Sequence, residues 1–149
     1  MLLNLLTGLP VMLLCLVLQA VFVTVCLRYY ARFNLRHGDR ASQWTEILLL
    51  STAMLLMLLS NMAQMVIWAV LFLLLGEFDD IRTALYHSAV NFVTLGYGDI
   101  VMSARWRLLG PLEAVNGILM FGVSTAVMTA AVLDVVKRRT AQLKQHEPR

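Results

Sequence analysis

Apolar residues run along this chain in three long uncharged stretches, not in the short alternating or amphipathic patterns of a soluble fold. Leu2 to Leu27 carries no charge, Ile47 to Leu75 carries none, and Ala114 to Leu133 is the third. A helix that crosses a bilayer needs about 20 mainly apolar residues at about 1.5 Å each. Each stretch therefore predicts one spanning helix, and the middle one has length to spare for tilt. The third is expected to begin near Leu108 and so to include Glu113. Pro10 reads as an early breaker in the first. Gln19, Asn61 and Gln64 interrupt the apolar runs and are expected to face protein, because a polar side chain in hydrocarbon is costly. A cleaved leader needs a basic start and a short apolar core. Residues 1–14 hold no Lys or Arg and the run is too long, so the first stretch reads as a retained helix.

Composition agrees. Hydrophobic residues make up 60% of the chain and charged residues 14%, against roughly 45–50% and about 25% in soluble domains. Too few polar residues exist to coat a soluble fold, and disorder needs low hydrophobicity. Cys15 and Cys26 both lie inside the first apolar run, about three helical turns apart, and read as buried thiols rather than a disulfide framework. Met54, Met57 and Met65 read as packing residues. His37, His87 and His146 show no metal-ligand spacing.

The charges are sorted. Arg28, Arg32, Arg36 and Arg40 lie between the first two spans, and Lys137, Arg138, Arg139, Lys144 and Arg149 follow the third. The positive-inside rule places both clusters in the cytoplasm and the N-terminus and segment 76–107 outside. The four arginines recur every four residues and would share a helical face. They could serve as a voltage sensor or as an anchor on anionic lipid. The stretch is too polar to span and Gly38 and Asp39 interrupt it, so the anchor is the expected role, with Trp44 at the interface.

Residues 81–93 are apolar but too short to cross, about 20 Å of helix. Thr94-Leu95-Gly96-Tyr97-Gly98-Asp99 follows, and two glycines two apart break any helix. Irregular backbone at membrane depth is tolerated only when buried in protein or lining a wet cavity. This predicts a re-entrant loop. Glycine at alternate positions lets successive carbonyls turn to one side, and rings of such carbonyls can replace the hydration shell of a monovalent cation. The short helix would point its negative end at the cavity. Glu77, Asp79 and Asp80 would enrich cations at the outer mouth.

Thr94 to Asp99 resembles the selectivity filter of potassium channels, TVGYGD, with Leu95 in place of valine. Ala84-Leu85-Tyr86-His87-Ser88 is similar to the family's pore helix. Gly117-Ile118, Phe121-Gly122 and Thr125-Ala126 match the inner helix of simple bacterial members. The resemblance covers roughly residues 50–135 and leaves the first helix outside the two-helix core. It implies an all-α membrane protein: three transmembrane helices plus a re-entrant pore helix and filter, assembled as a homotetramer. It implies K⁺ as the permeant ligand, held by the carbonyls of Thr94, Leu95, Gly96 and Tyr97 and the Thr94 hydroxyl. Gly98, Asp99, Tyr86, Asn91 and Glu113 would support the filter. In that scheme Tyr97 braces it from behind and Asp99 bonds to Tyr86. Glu113 and Asn116 depart from the family by adding polarity to the upper inner helix, and are expected to bond to the pore helix through Asn91. Gly117 and Gly122 would be inner-helix hinges. Ile118, Phe121, Thr125 and Thr129 share a helical face that the resemblance makes the cavity lining, with Phe121 or a residue below it as a hydrophobic gate. Val90 stands where some bacterial members carry a carboxylate used in filter inactivation, so that mechanism is expected to be absent.

The chain divides accordingly into an extra N-terminal helix (1–30), a basic cytoplasmic linker (31–46), an outer helix (47–76), pore helix, filter and mouth (77–107), an inner helix (108–136) and a basic tail (137–149). The expected function is passive K⁺ conduction across a plasma (inner) membrane, with no cofactor and no nucleic-acid partner. A non-selective cation channel and a non-conducting modulatory subunit are the alternatives. Gly96-Tyr97-Gly98-Asp99 also fits the GxGD motif of intramembrane aspartyl proteases. Those need two carboxylates close enough to share a proton, and the first two spans hold no acid, so no enzyme is expected.

Overall fold

The computed structural model describes residues 1–37 and 43–145, with side chains over 1–33 and 44–140. Among the described residues there are four helices and no strand: α1 (Leu2–His37), α2 (Gln43–Leu74), α3 (Ile81–Phe92) and α4 (Leu109–Gln145). Three of them hold stretches long and apolar enough to cross a membrane, Leu2–Phe33, Trp44–Leu74 and Leu109–Thr140.

The helices run past the ends of the apolar stretches. α1 continues through His37, so the basic segment assigned to a linker over 31–46 is helical up to that point and again from Gln43. No glycine or proline intervenes between Pro10 and Gly38, and Arg, Leu and Ala are good helix formers. Pro10 does not break α1. In an apolar surrounding, unwinding would leave more backbone groups without partners than the one bond that proline removes. Arg28 and Arg32 are exposed on α1. Arg40 lies outside the described residues, as does the side chain of Arg36.

α2 packs on α1, α3 and α4, and α4 packs on α1 and α3. The long helices thus form a three-helix bundle, with α3 wedged between the C-terminal half of α2 and the N-terminal half of α4. The core at that end is built from Cys15, Trp68, Phe72, Phe92, Trp106, Leu109 and Met120. Trp68 and Phe72 are tilted with centroids 5.9 Å apart, and Phe78 meets Phe72 edge-on at 6.3 Å. A smaller cluster of Cys26, Ala53 and Met57 closes the other end. Met65 packs against the first cluster, but Met54, expected as a packing residue, is exposed. It sits on the outer face of α2, three residues from the buried Met57.

The first helix does not stand apart. Asn4 Nδ2 donates to the Arg105 carbonyl at 2.8 Å. The Tyr30 hydroxyl donates to Asp134 Oδ2, which also accepts from Arg138 Nε at 2.7 Å. α4 is tied to α2 by Arg139, whose Nε and terminal nitrogen reach Glu46 Oε2 at 2.8 and 2.6 Å.

α3 and α4 approach closely, backbone to backbone, at Gly117. A Cβ built on Gly117 would overlap the Phe92 carbonyl oxygen and carbon. That neighbour is backbone and cannot swing aside, so α4 must carry glycine where the end of α3 rests on it. Gly122, where an added Cβ meets nothing within 4 Å, carries no such restraint within the subunit. Gly117→Ala is expected to cost about 1–3 kcal/mol through overpacking. The drop in thermal midpoint of the purified protein in detergent measures it, with Gly122→Ala as the comparison.

Candidate functional site

The site is the stretch that follows α3. Asp80 starts that helix as its N-cap, accepting from the Thr83 N–H at 3.4 Å, which fills one of the open donors of a helix start. α3 buries Ala84, His87, Ser88, Val90 and Phe92. At its other end the Thr94 N–H donates to the Asn91 carbonyl at 2.9 Å and the Leu95 N–H to the Val90 carbonyl at 2.9 Å. This bonding closes a helix around a left-handed residue, a place usually held by glycine. Here it is Thr94, with φ +61°. A β-branched residue in that region is a true outlier, and such strain costs about 1–3 kcal/mol and is characteristic of functional segments.

Two residues on, Gly96 has φ +56°, and two further Gly98 has φ +73°. Leu95, Tyr97 and Asp99 between and after them have no positive φ. The sign therefore alternates residue by residue. Such alternation aligns successive peptide groups, N–H to one side and carbonyl to the other. The N–H groups of Leu95 and Gly96 both turn to the Val90 carbonyl, at 2.9 and 3.3 Å. All six residues from Thr94 to Asp99 are exposed in the subunit.

Side chains hold this segment from both sides. The Tyr86 hydroxyl donates to Asp99 Oδ2 at 2.7 Å. That bond holds the Asp99 carboxyl below the usual carboxylate range and raises the Tyr86 phenol. His87 Nδ1 lies 3.0 Å from the Ile100 carbonyl. A carbonyl can only accept, so Nδ1 carries the proton and Nε2 accepts from Asn91 Nδ2 at 2.8 Å. The ring is set between Phe72 and Phe78, with centroids at 5.5 and 5.0 Å, and burial pushes the imidazole pKa down. Beside the segment is a recess of about 450 Å³, with His87, Asn91, Gly96, Gly98, Ile100 and Arg107 among its lining.

α4 joins this support. Glu113 is fully buried, and the Ser88 hydroxyl links its Oε1 to α3. The same hydroxyl lies 2.8 Å from the Met65 carbonyl of α2. Ser88 thus sits where α2, α3 and α4 meet, a role the sequence reading left unassigned. Glu77, assigned to the potential of the mouth, also accepts from the Ser103 N–H at 2.6 Å and its hydroxyl at 2.7 Å. On α4, Ile118, Phe121, Gly122, Thr125 and Thr129 are all exposed in the subunit, and the Phe121 ring meets Phe92 edge-on at 5.7 Å. Gly117, by contrast, is buried under α3.

Residues 61–134 match the ion channel family. The match takes in the second half of α2, all of α3, the strained segment and most of α4, and it leaves α1 outside. Among curated proteins and solved structures, none matches this chain. Together with three helices long enough to span, the family match points to an integral membrane protein that is a channel and not an enzyme.

The lowered pKa of His87 has a measurable sign. The unfolded imidazole titrates near 6.5 and the folded one below it, so between the two values the unfolded state binds more protons. Stability is expected to be level above pH 6.5 and to fall as the pH drops through that window. Thermal midpoints against pH measure this, and His87→Asn, which keeps an N–H near the Nδ1 position but does not titrate, is expected to flatten the profile.

Proposed function

We propose that the chain is the subunit of a K⁺-selective channel, conducting passively through a homotetrameric pore. The observation that carries this reading is the alternation of φ at Thr94, Gly96 and Gly98 in a six-residue segment that its own chain leaves exposed. One subunit supplies one wall, and four around an axis would bring the carbonyls of Thr94, Leu95, Gly96 and Tyr97 into stacked rings. Such rings replace the hydration shell of K⁺. Closed cyclic symmetry gives the ring a defined end, where a lone wall would leave carbonyls facing lipid. α3 is then the re-entrant pore helix, its carbonyl end turned toward the cation.

The exposed face of Ile118, Phe121, Thr125 and Thr129 lines the cavity below, and Phe121 forms a hydrophobic constriction that closes by dewetting. The basic ends of α1 and α4 lie in the cytoplasm and the N-terminus outside, in a plasma or inner membrane. Arg28, Arg32, Arg36 and Arg40 then meet anionic lipid headgroups.

The test is ion flux from purified protein in liposomes. Under K⁺ and Na⁺ gradients the reversal potential is expected to follow K⁺, with block by Ba²⁺. Gly96→Ala is expected to abolish flux, because alanine resists a φ of +56°. A reversal potential indifferent to the cation would replace this reading with a non-selective pore. Absence of flux in the unmodified protein would leave a modulatory subunit.

A further inference from the structure

α1 lies outside the region matched to the channel family, yet it carries the best-connected polar side chain in the membrane-spanning part of the fold. Gln19 is buried, and its amide is engaged at both ends. Nε2 donates to Ser124 Oγ on α4 at 3.1 Å. Oε1 accepts from Ser60 Oγ at 2.6 Å and from Gln64 Nε2 at 2.9 Å, both on α2. Asn61 Nδ2 also reaches Ser124 Oγ, at 3.3 Å. Every one of these groups is buried. A polar group in an apolar bundle cannot exchange a lost partner for water, so such networks hold helices in one register.

The contact on α4 is well placed to matter. Ser124 adjoins Thr125 and lies one turn from Phe121, both on the exposed face of the inner helix. Its hydroxyl also donates to the Met120 carbonyl at 2.9 Å, a back-bond that competes with the helix ladder and favours bending. Gly122 lies two residues away with open space around its Cα. Above this level α4 is fixed, because the Phe92 carbonyl fills the space over Gly117. The first place at which α4 is free to bend is therefore the turn that Gln19 grips.

The network also has slack. Asn61 Oδ1 and Asn116 Oδ1 are buried with no donor. More acceptors are present than the observed pattern uses, so the amides have a second pattern to adopt if α4 shifts.

We propose that Gln19 is a positioning residue through which α1 holds the inner helix at Ser124 and so sets the balance between open and closed pore. The proposal rests on the channel reading above. It gives the extra helix a mechanical role: a brace built into each subunit, acting on α4 below the filter and leaving selectivity untouched.

The experiment is a double-mutant cycle on single-channel open probability in liposomes, using Gln19→Met, which keeps the volume, Ser124→Ala, and both together. Each single change is expected to shift the open–closed ratio, and the double variant to go no further than the larger single. The expected coupling is about threefold to twentyfold, the range of hydrogen bonds between membrane helices. Ser124→Thr keeps the hydroxyl and is expected to behave as the unmodified channel. Thr24→Ala, an exposed α1 position bonded only along its own helix, is expected to change nothing. The K⁺/Na⁺ reversal potential is expected to stay fixed throughout. Should Gln19→Met fail to assemble, the contrast between Ser124→Ala and Ser124→Thr carries the test. Additive shifts, or coupling seen in thermal midpoints but not in gating, would reduce the network to a packing contact and overturn the proposal. Absence of K⁺ flux in the unmodified protein would instead remove the channel reading, and the proposal with it.

Discussion

A backbone carbonyl at membrane depth has no water to turn to. Everything in this subunit follows from how that constraint is met. The long helices meet it within themselves, which is why α1 passes through Pro10 without breaking. The run from Thr94 to Asp99 leaves the helical ladder, and it is held from several directions at once. Thr94 and Leu95 are pinned to the last turn of α3, Asp99 to Tyr86, and Ile100 to His87. The strain at Thr94 persists because its neighbours over-determine it.

The supports are layered. Nearest the segment, α3 supplies Tyr86, His87 and the helix-end carbonyls. Behind α3 stand the aromatic rings of α2 and the Ser88–Glu113 bond to α4. Further along, Glu77 and Asn4 fasten the segment between Asp99 and α4 through Ser103 and Arg105. The acids at this end therefore do two things: they carry charge, and three of them (Glu77, Asp80 and Asp99) each accept a specific hydrogen bond.

Much of this was legible in the residues. Three spans, a short helix and a glycine-broken return can be read from apolar run lengths and from Gly96 and Gly98, because those signals act locally. Gln19, Asn61 and Gln64 could be assigned to protein-facing positions because polar groups in apolar runs have few other options. Helix ends were harder, since nothing in Arg28 to His37 marks where helix stops once lipid is left behind. Partner choice was harder still. Ser60, Ser88 and Ser124 are small and unremarkable in sequence, and only the crossing of α1, α2, α3 and α4 shows which bonds they complete. The left-handed Thr94 was not foreseeable from residue type, because a β-branched side chain argues against that conformation. Gly117 was read as a hinge from resemblance, while its surroundings show a residue that cannot be larger.

The bond from Asn4 to Arg105 and the one from Gln19 to Ser124 each span more than 100 residues of sequence. Both have a consequence for biosynthesis. α1 precedes α2 and α4 in the chain and is apolar enough to enter the bilayer by itself, yet Asn4 Nδ2 has no Arg105 carbonyl and Gln19 Nε2 no Ser124 hydroxyl to donate to until those residues are in place. A chain that stalls before α4 therefore leaves Gln19 Nε2 without its Ser124 partner, while Gln19 Oε1 can already accept from Ser60 and Gln64 on α2. The same side chains that fasten the completed fold thus distinguish it from an incomplete one.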